Sequence, residues 1–140
     1  MKHNMKKYLL YSLLAACTFM GSCSKDTTLA ETNLAQKMIQ DKAWFLDYSQ
    51  TETLTKTYVG QATYYINFLK NLTTQDSDGL NGTYSVEKVS GQLQIHVQAT
   101  TSNGNPIEYI YDIVSVGSEN LILSYTLSGK TTQLYYTSKR

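Results

Sequence analysis

From Gly82 to the C-terminus, apolar residues recur at every second position, and short turns interrupt them at even intervals. Leu93, Ile95 and Val97 alternate with Gln92, Gln94, His96 and Gln98; Tyr109, Tyr111 and Ile113, then Leu121, Leu123, Tyr125 and Leu127, repeat the pattern, and Leu134 and Tyr136 close it. A period of two places such residues on one face of an extended strand. Ser90-Gly91, Ser102 to Pro106, Gly117 to Asn120 and Ser128-Gly129 supply turns, because Gly and Asn accept positive φ and Ser favours loops. Strands joined this way predict an antiparallel meander. A run of seven to eight strands predicts an up-and-down barrel, whose closure removes the sheet edges that promote aggregation. The alternative is an open antiparallel sheet packed by a helix, because the Thr-rich stretch from Thr51 to Gly60 is a weak strand.

Ahead of this region the period differs. Thr28-Leu29-Ala30-Glu31 has the form of a capping box, and Leu34, Ala35, Met38 and Ile39 recur at helical spacing through about Asp41. Past Asp41 the period falls to two: Trp44, Leu46 and Tyr48 share one face, and Phe45 and Asp47 the other. Thr51–Val59 is read as a second strand ending at Gly60, and Thr63–Leu69 as a third, with Tyr64, Ile66 and Phe68 on one face. Asn71–Gly82 is read as a loop and Thr83–Val89 as the next strand. The class is therefore mainly β, with an N-terminal helix.

The first residues carry a different message. Lys2, Lys6 and Lys7 precede an apolar run from Tyr8 to Met20 that ends in Gly21-Ser22. Positive charge, a short apolar segment and small residues form a secretory leader, and the run is shorter than the ~20 apolar residues a spanning helix needs. Met20-Gly21-Ser22-Cys23 resembles a bacterial lipobox, which implies lipid attachment at Cys23; Leu14-Ala15-Ala16-Cys17 is the competing match. Two or more acyl chains make a stable anchor where one does not. The predicted organisation is a leader over 1–22, a polar tether over 23–28 and a β-domain over 29–140. Ser24 rather than Asp follows the cysteine, which by analogy implies an outer membrane. The Cys-Ser-Lys-Asp start resembles lipoproteins of the Bacteroidota.

Loss of residues 1–22 removes Lys2, Lys6 and Lys7 from 12 basic residues and leaves nine against 11 acidic ones. No basic patch suggests nucleic acid. The 2 cysteines are Cys17 and Cys23, so the β-domain has no disulfide and rests on burial and hydrogen bonding. Catalytic material is scarce. His96 is the only histidine outside the leader and sits between Gln94 and Gln98 on a polar face. Asp76, Asp78 and Glu87 approach a calcium-loop spacing, but Leu80 and Asn81 fall where an oxygen ligand and Gly are required, so Asn71–Gly82 reads as a solvated loop. Asp47, Glu52, Glu108 and Asp112 are scattered. Neither a metal, a cofactor nor an enzymatic activity is expected.

Several segments together resemble one family. Lys42-Ala43-Trp44-Phe45-Leu46 after a helix, Gly82-Thr83-Tyr84-Ser85-Val86, Leu93-Gln94-Ile95, Tyr109 to Val116 and Asn120 to Leu123 are similar to the tryptophan strand and later strands of small lipocalin-like domains in outer-membrane lipoproteins. The resemblance spans about residues 30–137 and implies a lipocalin-like barrel. It also implies a binding module for a small apolar or amphipathic ligand, with Trp44, Tyr64, Tyr84, Tyr109, Tyr111 and Tyr125 as candidate contacts. Two readings of these aromatics stand side by side. They line a cavity with their hydroxyls turned to a ligand, or they form a tyrosine-rich core with Trp44 as its anchor. In the second case the domain acts on an envelope protein partner through the loops Asn71–Gly82 and Thr101–Pro106.

Overall fold

The computed structural model describes residues 23–59 and 64–139. The predicted leader, with Cys17 and Met20-Gly21-Ser22, lies outside the described residues, as do the side chains of residues 23–26. The chain divides into two units between Glu31 and Thr32. The described part of the first, Cys23 to Glu31, is helical; the second holds the rest of that helix and every strand.

Helix α1 spans Cys23–Ile39. It starts ahead of Thr28, so the expected capping box lies within the helix and the stretch read as a tether has helical backbone. No Gly or Pro interrupts Cys23–Val59, so nothing local stops the helix from extending that far back. Ala35 and Ile39, four apart on one face, are buried, whereas Leu34, expected on the same stripe, is exposed. Asp41 ends the helix in the left-handed region (φ 58°), a usual way to stop a helix. Its N–H donates to the Phe68 carbonyl at 2.9 Å. No described helix is long and apolar enough to cross a membrane.

Nine strands follow: β1 (Ala43–Gln50), β2 (Thr55–Thr57), β3 (Tyr65–Phe68), β4 (Thr73–Asp76), β5 (Asn81–Val89), β6 (Gln92–Thr100), β7 (Pro106–Val116), β8 (Asn120–Leu127) and β9 (Lys130–Thr137). From β3 to β9 each pairs antiparallel with the next. β1 pairs with β3 through Ala43–Phe45 and with β9 through Phe45–Gln50. That double pairing closes an eight-stranded antiparallel barrel, and β2 is an extra strand on the far half of β1. The result is a lipocalin-like barrel with an N-terminal helix, and the open-sheet alternative is excluded by the β1–β9 pairing.

Two hairpins show how the turns were encoded. Ser90-Gly91 joins β5 to β6 with φ of 51° and 86°, and Ser128-Gly129 joins β8 to β9 with φ of 52° and 76°. Positive φ at both central residues is the type I′ turn, whose twist matches that of the strands it links. Gly82 has a separate reason to be glycine. A Cβ there would lie 2.2 Å from the Gln98 carbonyl oxygen and 2.6 Å from Ala99 Cα, both backbone atoms of β6.

Three local expectations are corrected. Asn71–Gly82 is not all loop: it contains β4, whose Thr73-Thr74-Gln75-Asp76 buries only Thr74. The second strand shrinks to three exposed residues. Tyr48 does not share the face of Trp44 and Leu46. A bulge after Leu46 lets Leu46 pair with Tyr136 and Tyr48 with Tyr135. An extra residue in one strand reverses the faces beyond it, so Tyr48 turns outward and stacks on Tyr135 at 4.2 Å. A second bulge, between Ile113 and Ser115, similarly brings Val116 opposite buried Leu121.

Inward-facing residues at one end of the barrel fill it. Ile39, Trp44, Phe68, Ile95, Leu121 and Leu123 have almost no exposed surface. Trp44 Nε1 donates to the Ile39 carbonyl at 2.8 Å, so the indole is tied to the last turn of α1. The β3–β4, β5–β6 and β7–β8 connections lie at this end.

Candidate functional site

The other end of the barrel is open. There the inward faces enclose a cavity of about 940 Å³, within the range typical of small-molecule sites. Six tyrosines line it: Tyr58, Tyr64, Tyr109, Tyr111, Tyr125 and Tyr136. Leu46, Ile66, Val97 and Leu134 form its apolar floor and wall, and Asp78, Leu80, Thr101 and Ser102 border its mouth.

Strand alternation explains why these side chains converge. Val97 is opposite Tyr109 and Ile95 opposite Tyr111, so the buried faces of β6 and β7 place both tyrosines inward. Tyr136 is opposite Leu46 on one side and Leu121 on the other. Glu108 and Ile110 alternate with the inward tyrosines of β7 and border the rim. Tyr111 meets Tyr109 in a stacked pair at 5.9 Å and Tyr125 edge-on at 6.2 Å. Such offset and edge contacts are the favoured aromatic geometries.

Asp76, at the end of β4, is the polar centre of the wall. Its Oδ1 accepts the N–H groups of Asp78 and Leu80, each at 2.9 Å. These bonds, with Gly79 at φ 88°, fold the β4–β5 turn as an Asx-turn. Its Oδ2 accepts the Tyr64 hydroxyl at 3.0 Å. The carboxylate is thus fixed by three donors, none of which carries positive charge.

The hydroxyls of Tyr64, Tyr111 and Tyr136 are donors at neutral pH. Burial pushes those of Tyr64, Tyr111 and Tyr136 above their ordinary range, and neighbouring tyrosines and the Asp76 carboxylate raise all three further. Among the described residues no buried side-chain nitrogen or oxygen lacks a partner. The hydroxyls of Tyr111, Tyr125 and Tyr136 bond to no described protein group, so they open onto the cavity.

Of the aromatics singled out from the sequence, Tyr64, Tyr109, Tyr111 and Tyr125 come together here. Trp44 and Tyr84 do not. Trp44 belongs to the filled end. Tyr84 is buried there as well: its ring meets Phe68 edge-on at 5.0 Å, and its hydroxyl donates to the Leu69 carbonyl at 3.0 Å and accepts from Gln40 Nε2 at 2.9 Å. They fall on the same inward face as the others, but the stagger of the strands carries them to the filled end. Tyr58, Tyr136 and Asp76 are site residues that are not among the candidate contacts read from the sequence. Tyr58 follows a weak strand, and Asp76 was read as part of a solvated loop. The signal for Asp76 was its place at the end of the unrecognised β4, one residue of correct parity beyond buried Thr74.

Other sequence candidates are not assembled. Glu87 lies near the far end of β5, where it accepts the Ser85 hydroxyl at 2.9 Å, away from Asp76 and Asp78. His96 is on the outer face beside Gln94, at 3.2 Å. Among the described residues no cluster of three His, Cys, Asp or Glu has metal-binding spacing. Compared with protein-family models, curated proteins and solved structures, the chain has no match.

Proposed function

We propose that the protein is a lipid-anchored binding module of the cell envelope, holding a small apolar or amphipathic ligand in the open end of its barrel. One observation carries this reading: half of the barrel interior is filled while the other half encloses about 940 Å³ lined by tyrosines and aliphatic groups. A core that served stability alone gains from filling such a space, because unfilled apolar volume forfeits contacts. Hydroxyls of Tyr111, Tyr125 and Tyr136 that bond no described protein group suit a ligand with a polar end.

The membrane part of the proposal rests on Met20-Gly21-Ser22-Cys23. Acylated there, the module is held at an outer membrane, as in the Bacteroidota lipoproteins its start resembles. Radiolabelled palmitate is expected to enter the wild-type protein and not Cys23→Ala; label lost only in Cys17→Ala contradicts the assignment. For the ligand, native mass spectrometry of protein purified from its cells is expected to show a bound small molecule that organic extraction removes. A mass equal to the acylated polypeptide alone, together with no uptake of apolar compounds, contradicts it.

A protein-interaction role through the loops gains less support. The β4–β5 and β6–β7 turns, within two of the segments considered for it, border the cavity mouth.

A further inference from the structure

The cavity has a charge character that narrows its ligand. Among the described residues its lining includes Asp76, Asp78 and, at the rim, Glu108, and no Lys, Arg or His. Asp76 is the one set into the wall; its three hydrogen bonds come from two backbone N–H groups and a tyrosine, so its charge is oriented but not neutralised. Around it stand aromatic rings whose faces carry partial negative charge. One of them already holds a cation: Lys56 Nζ lies 4.9 Å from the centre of the Tyr58 ring.

We propose that the cup is selective for ligands with a positively charged head, an amine or quaternary ammonium group on an apolar body, and rejects those with a carboxylate head. The inference rests on the binding reading above and specifies its ligand class. An ammonium group entering the cavity leaves water, and it regains interaction from Asp76 and from the tyrosine faces, both strengthened where solvent is excluded. A carboxylate entering the same space meets Asp76 as a like charge, and no cation among the described lining residues. The tyrosine hydroxyls could donate to it, but they stand in the same negative field. Beyond burial, neighbouring tyrosines and then the Asp76 carboxylate lift the Tyr64, Tyr111 and Tyr136 hydroxyls. The aliphatic floor, Leu46, Ile66, Val97 and Leu134, receives the apolar body in either case, so the head group decides.

The test compares three probes with one chain length and different heads: decyltrimethylammonium, decanol and decanoate, each below its micelle concentration. They are titrated into the purified full chain carrying Cys23→Ser by isothermal calorimetry at pH 7. The ammonium probe is expected to bind at least about tenfold more tightly than decanoate, the scale set by a desolvated cation–π contact and one charge pair. In Asp76→Asn, checked for unchanged circular dichroism, the ratio of ammonium to decanoate affinity is expected to shrink severalfold. Decanoate binding as tightly as the ammonium probe, or a ratio unaltered by Asp76→Asn, overturns the charge selectivity. If decanol and decanoate bind and the ammonium probe does not, the cup is a site of the opposite preference. If none of the three binds, the binding reading itself fails along with this inference.

Discussion

The two ends of one barrel use the same inward positions in opposite ways. At the end met by the last turn of α1, inward residues are Trp44, Phe68, Tyr84, Ile95, Leu121 and Leu123, and they touch one another across the interior. At the other end they are Tyr64, Tyr109, Tyr111, Tyr125 and Tyr136, and they surround a space. Tyr84 shows that tyrosine as such does not make a cup. Its hydroxyl is engaged by Leu69 and Gln40, and its ring by Phe68. What differs is that Tyr111, Tyr125 and Tyr136 keep hydroxyls that bond no described protein group, and that the barrel axis there is open. One half is built for stability and the other leaves its polar groups available, which is the division expected when a rigid scaffold supports a site.

The comparison can be broken most sharply by truncation. Trp44→Ala or Phe68→Ala should cost about 3–5 kcal/mol in urea unfolding, the usual loss for a large buried aromatic. Tyr109, with 39% of its surface exposed, should cost no more than about 1 kcal/mol on truncation to alanine, as exposed positions do. Equal costs at the two ends would erase the distinction. Gly82→Ala comes next. The backbone of β6 cannot move aside for the added methyl, so a loss of about 1–3 kcal/mol is expected, read by the shift of the urea midpoint.

Alkaline pH probes the open half. Tyr64, Tyr111 and Tyr136 hold their protons more tightly folded than unfolded. Above pH ~10 the unfolded chain releases protons that the folded one keeps, so stability is complete below that pH and falls as pH rises through it. Each such tyrosine should contribute roughly 1 kcal/mol of loss per pH unit, and Tyr136→Phe should reduce the slope of stability against pH between about 10 and 11. A slope unchanged in that variant would show that Tyr136 ionises freely. The smallest effect belongs to the β3–β4 turn. Leu72 has φ 62°, a conformation costly for a leucine and easier for asparagine. Leu72→Asn should raise stability by up to about 1 kcal/mol by thermal unfolding.

The sheet was legible because alternation is a local signal. Leu93, Ile95 and Val97, or Leu121 and Leu123, declare a face without reference to any other part of the chain. Turns with two positive-φ positions, such as Ser128-Gly129, declare their hairpins in the same way. The bulge at Asp47 was not legible. Whether an extra residue is inserted depends on pairing with β9, almost ninety residues later in the chain, and the consequence was the wrong face for Tyr48. β4 was hidden because a short polar strand has one buried residue, Thr74, and turn-forming neighbours. Its misreading concealed Asp76, the polar centre of the cup. The helix start was missed for the reverse reason: a favourable cap at Thr28 drew the boundary, although nothing before it opposes helix. As for the candidate site, four of the six tyrosines could be chosen from parity. Parity alone could not separate Tyr84 from Tyr111, since position along the barrel axis depends on the stagger of all the strands.

The central claim, that one end of the barrel binds and the other only packs, has a direct measurement. Trp44 is the only tryptophan in the chain, so its indole N–H reports the filled end alone, while specifically labelled tyrosine rings report the cup. Adding decanol, the uncharged probe, and following both by NMR should shift the ring signals of Tyr111, Tyr125 and Tyr136 and leave the Trp44 indole signal in place. Ring signals that stay fixed while the indole signal moves would contradict the account.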